Sequence, residues 1–332
     1  MKALLSITPG GPETLSLSDI DKPSCLDDQV LIKVSACGIN YPDALIIQDK
    51  YQFRPDRPFS PGGEIVGTIE EVGAKVARWS KGDRVIALVR WGGMAEFVTC
   101  SETDCLPIPK GMPDNEAAAF IFTYGTSYHA LKDRANLGSG EKLLILGAAG
   151  GVGLAAVELG KAMGAEVLVG VSSEEKLQVA LEKGADDGLV YPRGPFDKES
   201  SKALANSFKQ LTGKEGANVI YDAIGGTYAE AALRSIAWEG HFLVVGFPAG
   251  IPSIPLNLPL LKGCQITGVF WGSFCERNSK GNEQNNAELE QMYINGKIKP
   301  LVSRTFTLSE ASHGISMLAD RKATGKIVVE IP

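Results

Sequence analysis

The stretch Lys142-Leu143-Leu144-Ile145-Leu146-Gly147-Ala148-Ala149-Gly150-Gly151-Val152-Gly153 decides the fold of this 332-residue chain. A short apolar run enters a glycine-rich turn, and a helical pattern follows as far as Met163. Small residues here permit close backbone approach to a pyrophosphate and tight packing of helix on strand, with Ala148 in place of the first glycine of G-x-G-x-x-G. Free N–H groups at the helix start then bind the phosphates. The pattern predicts a dinucleotide-binding turn rather than a glycine-rich turn without a ligand, with contacts from Gly150, Gly151, Val152 and Gly153.

Strands and helices alternate after this turn. The pattern predicts strands at Glu166–Val171, Asn218–Tyr221 and His241–Val245, and helices at Glu174–Lys183 and Tyr228–Trp238. Strands that are apolar on both faces and separated by single helices are typical of a parallel sheet covered on both sides. This part of the chain is therefore predicted to be α/β, a Rossmann doubly wound parallel-sheet domain.

The end of the second strand indicates which dinucleotide binds. NAD enzymes place an acidic residue ~20 residues after the turn, on the ribose hydroxyls, whereas this chain has Ser172 and Ser173 there. Without a carboxylate, a 2′-phosphate is not repelled. Lys176, Tyr191 and Arg193 follow where they can contact the same phosphate by charge-assisted hydrogen bonds, although each alone is a common surface residue. Together these residues predict NADPH rather than NADH.

The first hundred or so residues have a different pattern. Short segments that alternate apolar and polar side chains are separated by Gly, Pro and Asp, and they lie at Val30–Val34, Ile65–Val72, Arg84–Val89 and Ala95–Thr99. Such patterning predicts a mostly antiparallel barrel or sandwich.

The C-terminal part is ambiguous. It is predicted to contain a strand at Cys264–Trp271, an exposed loop at Glu276–Asn282, a helix that ends at Gly296, and a closing strand at Lys326–Ile331. The pattern alone leaves open whether this tail completes the sheet domain or returns to the first domain.

Composition and charge exclude several classes of protein. Apolar residues make up 44% and charged residues 22%, which is typical of a folded globular chain and not of a disordered one. No run approaches the ~18–20 apolar residues of a membrane helix, and no signal peptide is predicted. A net charge of -6 gives no attraction to nucleic acid or an anionic membrane. Six cysteines without a secretory signal predict free thiols and a cytoplasmic protein.

Several motifs resemble one known family over essentially the whole chain. The pattern of Gly73, Gly82-Asp83-Arg84-Val85, the glycine-rich turn and Gly325-Lys326 resembles the medium-chain dehydrogenase/reductases. Asn40-Tyr41-Pro42-Asp43 with Pro61-Gly62-Gly63-Glu64 resembles their zinc-free quinone oxidoreductase branch, the zeta-crystallin-like enzymes.

The resemblance implies an architecture that the pattern alone does not give. A GroES-like β-barrel catalytic domain is expected over residues 1–118, completed by residues 263–332, and a Rossmann NADPH-binding domain over residues 119–262. It also implies a homodimer in which strands near Cys264–Trp271 extend the sheet across a twofold axis.

The resemblance also bears on metal binding. Zinc-dependent members of the superfamily have a Cys where this chain has Asn40 and a His where it has Gly63, and their structural zinc uses four closely spaced cysteines. Only Cys100 and Cys105 fall in that region, with the wrong spacing. No metal is expected, and hydride transfer without a Lewis acid favours conjugated acceptors over alcohols.

The resemblance also implies which residues of this chain lie around the nicotinamide, because their positions match those of the family's motifs. The Asn of the first motif hydrogen-bonds near the nicotinamide ribose and the second Thr of a T-x-x-T segment contacts the cofactor, which implies Asn40 and Thr126 here. Tyr51 is predicted to donate to the acceptor oxygen, completing the three predicted catalytic residues. Tyr41, Tyr51 and Trp271 are predicted to line the acceptor, with core packing as the alternative for each. The other predicted cofactor contacts are Ile224, Gly246, Phe247, Phe270, Trp271, Gly272 and Lys326.

Three functions fit these observations. The first is NADPH-dependent reduction of a small electrophilic acceptor, a quinone or an α,β-unsaturated carbonyl. The second is a 2-enoyl-CoA or acryloyl-CoA reductase, which needs a basic groove that Arg54, Arg57 and Arg90 would supply. The third is a non-catalytic, NADPH-binding or regulatory protein, because no residue in the sequence is an obligatory acid or nucleophile.

Overall fold

The computed structural model describes residues 1–332 and divides into two units. The first unit comprises Met1–Phe122 with Pro300–Pro332, and the second comprises Thr123–Lys299. The strands are β1 (Lys2–Ser6), β2 (Leu15–Asp19), β3 (Gln29–Ile39), β4 (Glu64–Val72), β5 (Arg84–Leu88), β6 (Phe97–Ser101), β7 (Cys105–Pro107), β8 (Lys142–Leu146), β9 (Glu166–Val171), β10 (Asp187–Val190), β11 (Ala217–Asp222), β12 (Ile236–Val244), β13 (Gln265–Gly268), β14 (Val302–Thr307) and β15 (Lys326–Glu330). The helices are α1 (Tyr41–Ile46), α2 (Asp114–Ala117), α3 (Ile121–Tyr128), α4 (Gly151–Ala162), α5 (Glu174–Glu182), α6 (Lys198–Thr212), α7 (Gly226–Leu233), α8 (Asn257–Lys262), α9 (Trp271–Arg277), α10 (Ser279–Ile294) and α11 (Ala311–Ala319).

The first unit is built around a seven-stranded sheet. Its order is β14-β15-β3-β4-β5-β7, and β6 also pairs with the long strand β3. The pairs of β3 with β4, β6 and β15 are antiparallel, whereas β14 runs parallel to β15. The inward faces of these strands form one core that includes Val30, Ile32, Ile65 and Val85. The period-two pattern of the sequence therefore produces a curled sheet with a single apolar interior.

The second unit contains a six-stranded parallel sheet of order β10-β9-β8-β11-β12-β13. The predicted strand at Glu166–Val171 is confirmed with the same bounds, as β9, and the apolar run Lys142–Leu146 before the turn forms β8. Leu143, Leu144, Ile145 and Leu146 of β8 are all buried, because β8 is central and helices cover both faces of the sheet. The reversal of strand order between β8 and β11 places the glycine-rich turn at the carboxyl edge where such sheets bind ligands.

Three predicted elements differ from the structure. The helix predicted over Tyr228–Trp238 is shorter, since α7 ends at Leu233 and Trp238 lies in β12. The strand predicted over Cys264–Trp271 is reduced to β13, and Trp271 begins α9. The expected loop at Glu276–Asn282 is helical, because Asn278 caps α10 through its side chain, which accepts from the N–H of Gly281.

The return of the chain to the first unit also differs in position. The prediction places it at residue 263, whereas the contacts place it at Pro300. The cause is the parallel pairing of β13 with β12, which keeps this segment in the second unit's sheet. None of the helices has the length and apolar character needed to cross a membrane.

Candidate active site

Two glycines of the turn between β8 and α4 are required by the fold. Gly147 has a φ of +74°, a conformation that favours glycine. A Cβ atom at Gly153 would lie 2.3 Å from the carbonyl oxygen of Gly147, so only glycine lets α4 pack on the turn. Ile224, a predicted cofactor contact, follows β11 and packs beside Gly147. A Cβ atom added at Gly147 would lie 3.0 Å from Cγ1 of Ile224.

Gly150 faces open space instead. Its backbone is extended, with φ -79° and ψ 171°, and an added Cβ would meet only the Gly147 carbonyl oxygen at 3.5 Å, an ordinary contact. Because α4 begins at the next residue, the N–H groups of Gly151, Val152 and Gly153 have no acceptor within the helix. These amides and the positive end of the helix dipole suit a pyrophosphate.

A group of polar side chains follows β9. Lys176 Nζ donates to Ser172 Oγ at 3.3 Å, and the Lys176 N–H donates to Ser173 Oγ at 3.3 Å, which caps α5. Burial lowers the pKa of Lys176, and the positive charge of Arg193 lowers it further. An anion beside these two like charges would relieve their repulsion. The structure thus brings Ser172, Ser173 and Lys176 together, with Arg193 near enough for its charge to act on Lys176, and the binding of a phosphate by this donor set stays a prediction.

Tyr191 directly follows β10, and its side chain is largely buried. It is 6% exposed, and its ring centroid lies 4.9 Å from that of Tyr228 within the core. The N–H of Tyr191 donates to the carbonyl of Val171 at 2.9 Å, which continues the pairing of β10 with β9. The ring of Tyr191 therefore packs in the core, and its contact with a 2′-phosphate stays a prediction.

Asp222, at the end of β11, was not predicted from the sequence. One of its carboxylate oxygens accepts hydrogen bonds of 2.9 Å from the N–H groups of both Ile224 and Gly225. Burial raises its pKa to about 6, while these two hydrogen bonds act in the opposite direction. Its carbonyl accepts from Gly246, which holds the end of β12 against β11. An acidic residue directly after an apolar strand and before Gly225-Gly226 was the available signal.

The aromatic residues at this edge of the sheet are in different environments. Phe247 and Phe270 are exposed, at 42% and 54%, after β12 and before α9. An added Cβ at Gly246 or Gly272 would meet nothing closer than 3.6 Å, so neither glycine is required by close packing. These four predicted contacts are accessible to a ligand.

Trp271 is largely a packing residue. It is 6% exposed and its indole N–H donates to Asn282 Oδ1 at 3.3 Å. A Cβ at Gly125 would lie 2.6 Å from the Trp271 ring, so the indole is seated on the backbone of α3. Thr126, the next residue of α3, is half-buried. Trp271 thus packs in the core, its contact with the acceptor stays a prediction, and Thr126 keeps an accessible surface.

In the first unit, Asn40 belongs to a buried charged cluster. Lys326 Nζ donates to Asn40 Oδ1 at 2.7 Å, to Glu64 Oε2 at 3.0 Å and to the carbonyl of Ile39 at 3.1 Å. Asn40 Nδ2 donates to Glu64 Oε2 and to the carbonyl of Gly38. All three ammonium hydrogens are used, so the structure assigns Lys326 to this cluster instead of a cofactor contact.

The two predicted tyrosines of the first unit are both half-buried. Tyr41 begins α1, and Tyr51 packs against the barrel core, with its ring centroid 5.8 Å from that of Phe53. Burial and the negative charge of Asp43 raise the pKa of Tyr51. Its phenol is therefore protonated at neutral pH and can donate a hydrogen bond.

The positions of the family's zinc ligands have other roles here. Asn40 is held as described, and Gly63 packs close to the backbone of Arg90, where a Cβ would lie 3.2 Å from the carbonyl oxygen. Cys100 and Cys105 are buried with their Sγ atoms 3.6 Å apart. No group of three or more His, Cys, Asp or Glu side chains is arranged to hold a metal ion.

Comparison with known proteins identifies the family. Residues 26–110 match the alcohol dehydrogenase GroES-like domain, and residues 151–286 match the zinc-binding dehydrogenase family. The chain is 37% identical over 325 residues to the quinone oxidoreductase-like protein 2 homolog of Nematostella vectensis, covering 94% of this chain and 87% of that one. This chain belongs to the medium-chain dehydrogenase/reductases, in their quinone oxidoreductase branch. The predicted family is thereby confirmed.

Other members of this branch are similar over their whole length. Human quinone oxidoreductase is 30% identical over 332 residues, covering 99% of this chain and 97% of that one. The quinone oxidoreductase of Thermus thermophilus, solved alone and with NADPH, is 32% identical with a TM-score of 0.83, covering 99% and 100%. A mycobacterial relative solved with NADPH is 28% identical with a TM-score of 0.91, covering 99% of each chain. These matches confirm the predicted fold class, a GroES-like β-barrel with a Rossmann sheet, for this medium-chain dehydrogenase/reductase.

Proposed function

We propose that this chain is a zinc-independent, NADPH-dependent oxidoreductase that transfers hydride to a quinone or an α,β-unsaturated carbonyl. The observation that carries the proposal is the donor set of Ser172, Ser173, Lys176 and Arg193 beside the dinucleotide turn. A phosphate on the adenosine ribose is the group that such hydroxyls and cations recognise. The relatives solved with NADPH support the same cofactor.

Different residues bind different parts of the cofactor. The amides of Gly151, Val152 and Gly153 bind the pyrophosphate, and the donor set binds the 2′-phosphate. Asn40 lies near the nicotinamide ribose, as the resemblance to the family implies, and Lys326 and Glu64 hold its side chain in place. Thr126 contacts the cofactor from α3.

The acceptor is reduced at carbon, and the negative charge that results is stabilised at oxygen. Bound NADPH supplies the hydride from its nicotinamide. The electrophilic carbon of a conjugated acceptor takes the hydride, and the negative charge moves to the carbonyl oxygen. Tyr51 donates a hydrogen bond to that oxygen, and its raised pKa keeps the donor proton in place. Tyr41 lines the same acceptor.

Zinc independence is supported by the contacts of Asn40 and of Glu64, the residue after Gly63. Glu64 Oε2 accepts from both Lys326 and Asn40, and Glu64 Oε1 accepts from the N–H of Phe122 at 2.8 Å. The carboxylate is thus satisfied by a buried ammonium and two N–H donors. A divalent cation placed here would have to displace the ammonium of Lys326.

The basic groove that a CoA thioester needs has less support. Arg57 is committed to the first unit, because it donates to the carbonyl of Ile47 at 3.0 Å and to Ser6 Oγ at 3.2 Å. Arg90 is exposed, but it lies over the ring of Phe53, with 5.2 Å from its guanidinium carbon to the ring centroid. Arg54 is exposed as well. One of the three cations is thus held within the unit, and a second stacks on an aromatic ring. The proposed substrate is therefore a small acceptor and not a CoA thioester.

The predicted homodimer has support at the edge of the parallel sheet. β13 is an edge strand, and apolar side chains that are exposed in the single chain surround it. Pairing of two such edges would bury them and satisfy the free backbone groups of β13. The exposed side chains are Trp238, Ile251, Leu256, Leu260, Leu261 and Ile266. A homodimer formed at this edge, and a cytoplasmic location, are part of the proposal.

Turnover with a panel of acceptors tests the proposed function. Purified protein is mixed with NADPH and quinones, enones or enoyl-CoA thioesters, and NADPH oxidation is followed by absorbance. Oxidation with quinones or enones is expected. Oxidation with enoyl-CoA alone would favour the thioester reductase. Tight NADPH binding without oxidation by any acceptor would favour the non-catalytic protein.

A further inference from the structure

Arg193, in the proposed 2′-phosphate site, lies in a loop that has few backbone hydrogen bonds of its own. The loop runs from the end of β10 at Val190 to Asp197, which caps α6. Pro192 and Pro195 flank Arg193-Gly194, and proline has no N–H group. Arg193 and Gly194 therefore supply the only N–H donors of residues 192–195. A segment of this kind needs an outside group to fix its conformation.

Tyr228, on α7, supplies that group. Its hydroxyl accepts a hydrogen bond of 2.9 Å from the N–H of Gly194 and donates one of 3.1 Å to the carbonyl of Pro192. One side-chain oxygen thus binds the backbone immediately before and immediately after Arg193. The ring of Tyr228 is 6% exposed and is itself fixed, since it lies 4.9 Å from the ring of Tyr191 and 5.0 Å from that of Phe196.

This arrangement sets where the backbone of Arg193 can lie, and thereby the region that its side chain can reach. The two bonds fix the backbone on both sides of Arg193, and its charge acts on Lys176 across the donor set. A cation that is held beside the phosphate before binding loses less conformational entropy on binding than one on a free loop. The gain applies only to a ligand that carries the 2′-phosphate.

We infer that Tyr228 is a positioning residue for cofactor specificity: it holds the Arg193 loop in the conformation that recognises the 2′-phosphate and thereby sets the preference for NADPH over NADH. The inference rests on the proposed NADPH function and adds a residue that touches neither the phosphate nor the reacting atoms. A sequence pattern could not indicate it, because Tyr228 lies 35 residues after Arg193 in a helix that reads as ordinary core.

Tyr228→Phe is the direct test, because it removes one oxygen atom and keeps the ring packing. The loop is exposed, so water can bond the two released backbone groups and the fold is retained. The probes are 2′,5′-ADP and 5′-ADP, which differ only by the 2′-phosphate, and binding is measured by calorimetry. The variant is expected to raise the Kd for 2′,5′-ADP roughly five- to tenfold, with the Kd for 5′-ADP changed less than about twofold.

Two further variants separate the possible causes. Tyr128→Phe removes a tyrosine hydroxyl that donates to Glu288 at 2.6 Å elsewhere in the same unit, and it should change neither Kd. Arg193→Ala should weaken 2′,5′-ADP, and Tyr228→Phe added to Arg193→Ala should have no further effect, because the loop then has no cation to position.

The outcomes are distinguishable. Equal losses for the two nucleotides in Tyr228→Phe, no loss for either, or the same loss in the Arg193→Ala background would overturn the positioning role while leaving the NADPH site intact. An unchanged Kd for 2′,5′-ADP in Arg193→Ala would instead remove the proposed phosphate site, and this inference with it.

Discussion

Ser172 is the residue at which cofactor preference is most simply reversed. Its hydroxyl accepts from Lys176 and stands where an NAD enzyme has a carboxylate. Ser172→Asp places a negative charge beside the 2′-phosphate and should raise the Kd for NADPH by roughly tenfold or more, while NADH gains an acceptor for its ribose hydroxyls. Binding of both cofactors is measured by fluorescence titration, with Ser172→Ala as the neutral control. Equal losses for both cofactors would contradict the phosphate assignment.

Asp222 gives a prediction about pH. Its pKa is raised by burial to about 6, above the ordinary value of 3.8, so the folded state holds the proton more tightly than the unfolded state. Its contribution to stability is therefore fully present below pH 3.8 and is lost as pH rises through about 6. Asp222→Asn keeps an oxygen for the Ile224 and Gly225 amides but cannot titrate.

The measurement is the free energy of unfolding by urea at pH 4 and pH 7 for both proteins. The native protein should lose about 2–3 kcal/mol more than Asp222→Asn between these values. Parallel pH curves for the two proteins would mean that Asp222 titrates normally.

At the scale of elements, two substitutions in the turn between β8 and α4 distinguish an effect on cofactor binding from an effect on folding. Gly150→Val should reduce NADPH affinity more than tenfold at nearly unchanged Tm, because a side chain there meets no backbone closer than 3.5 Å but blocks the approach of a pyrophosphate. Gly153→Val is the matched control and should lower the Tm, since its Cβ would lie 2.3 Å from the Gly147 carbonyl oxygen. Retained affinity in a folded Gly150→Val protein would show that the pyrophosphate binds elsewhere.

The edge formed by β13 and α8 gives the second prediction at this scale. Leu260 is 77% exposed in the single chain, so Leu260→Glu costs the isolated fold little but places a charge in the proposed interface. Light scattering should give twice 35.3 kDa for the native protein and a single-chain mass for the variant at micromolar concentration. Leu26→Glu, at an exposed leucine of the first unit, should stay dimeric. A native protein that is monomeric would refute the proposed dimer.

For the whole molecule, the prediction concerns metal. The Lys326 ammonium already bonds Glu64 and Asn40, so turnover should be unchanged after dialysis against EDTA, and elemental analysis should find far less than one zinc per chain. Added zinc should not increase turnover. Activity that is lost on chelation and restored by zinc would overturn the zinc-independent mechanism.

The sequence alone predicted much of the parallel-sheet unit, because the local patterns of apolar residues and glycines in that part of the chain agree with its secondary structure. The strands at β8 and β9, the turn and α4 follow from apolar runs and glycines that are adjacent in the chain. It also indicated Ser172, Ser173, Lys176 and Arg193, because the carboxyl ends of neighbouring parallel strands meet at one edge of a sheet. The barrel assignment and the family depended on the resemblance of several motifs.

Tertiary structure decided the residues whose roles depend on distant partners. Lys326 is tied to Asn40 and Glu64, and no local pattern reports hydrogen bonds across nearly three hundred residues. Tyr191 packs against Tyr228, and Tyr228 reaches back to the Arg193 loop. Sequence determined most of the strands, helices and turns around the dinucleotide turn, because those depend on neighbours along the chain. Which side chains are buried, paired or free was decided only when the strands came together, because burial and hydrogen bonding depend on neighbours in space.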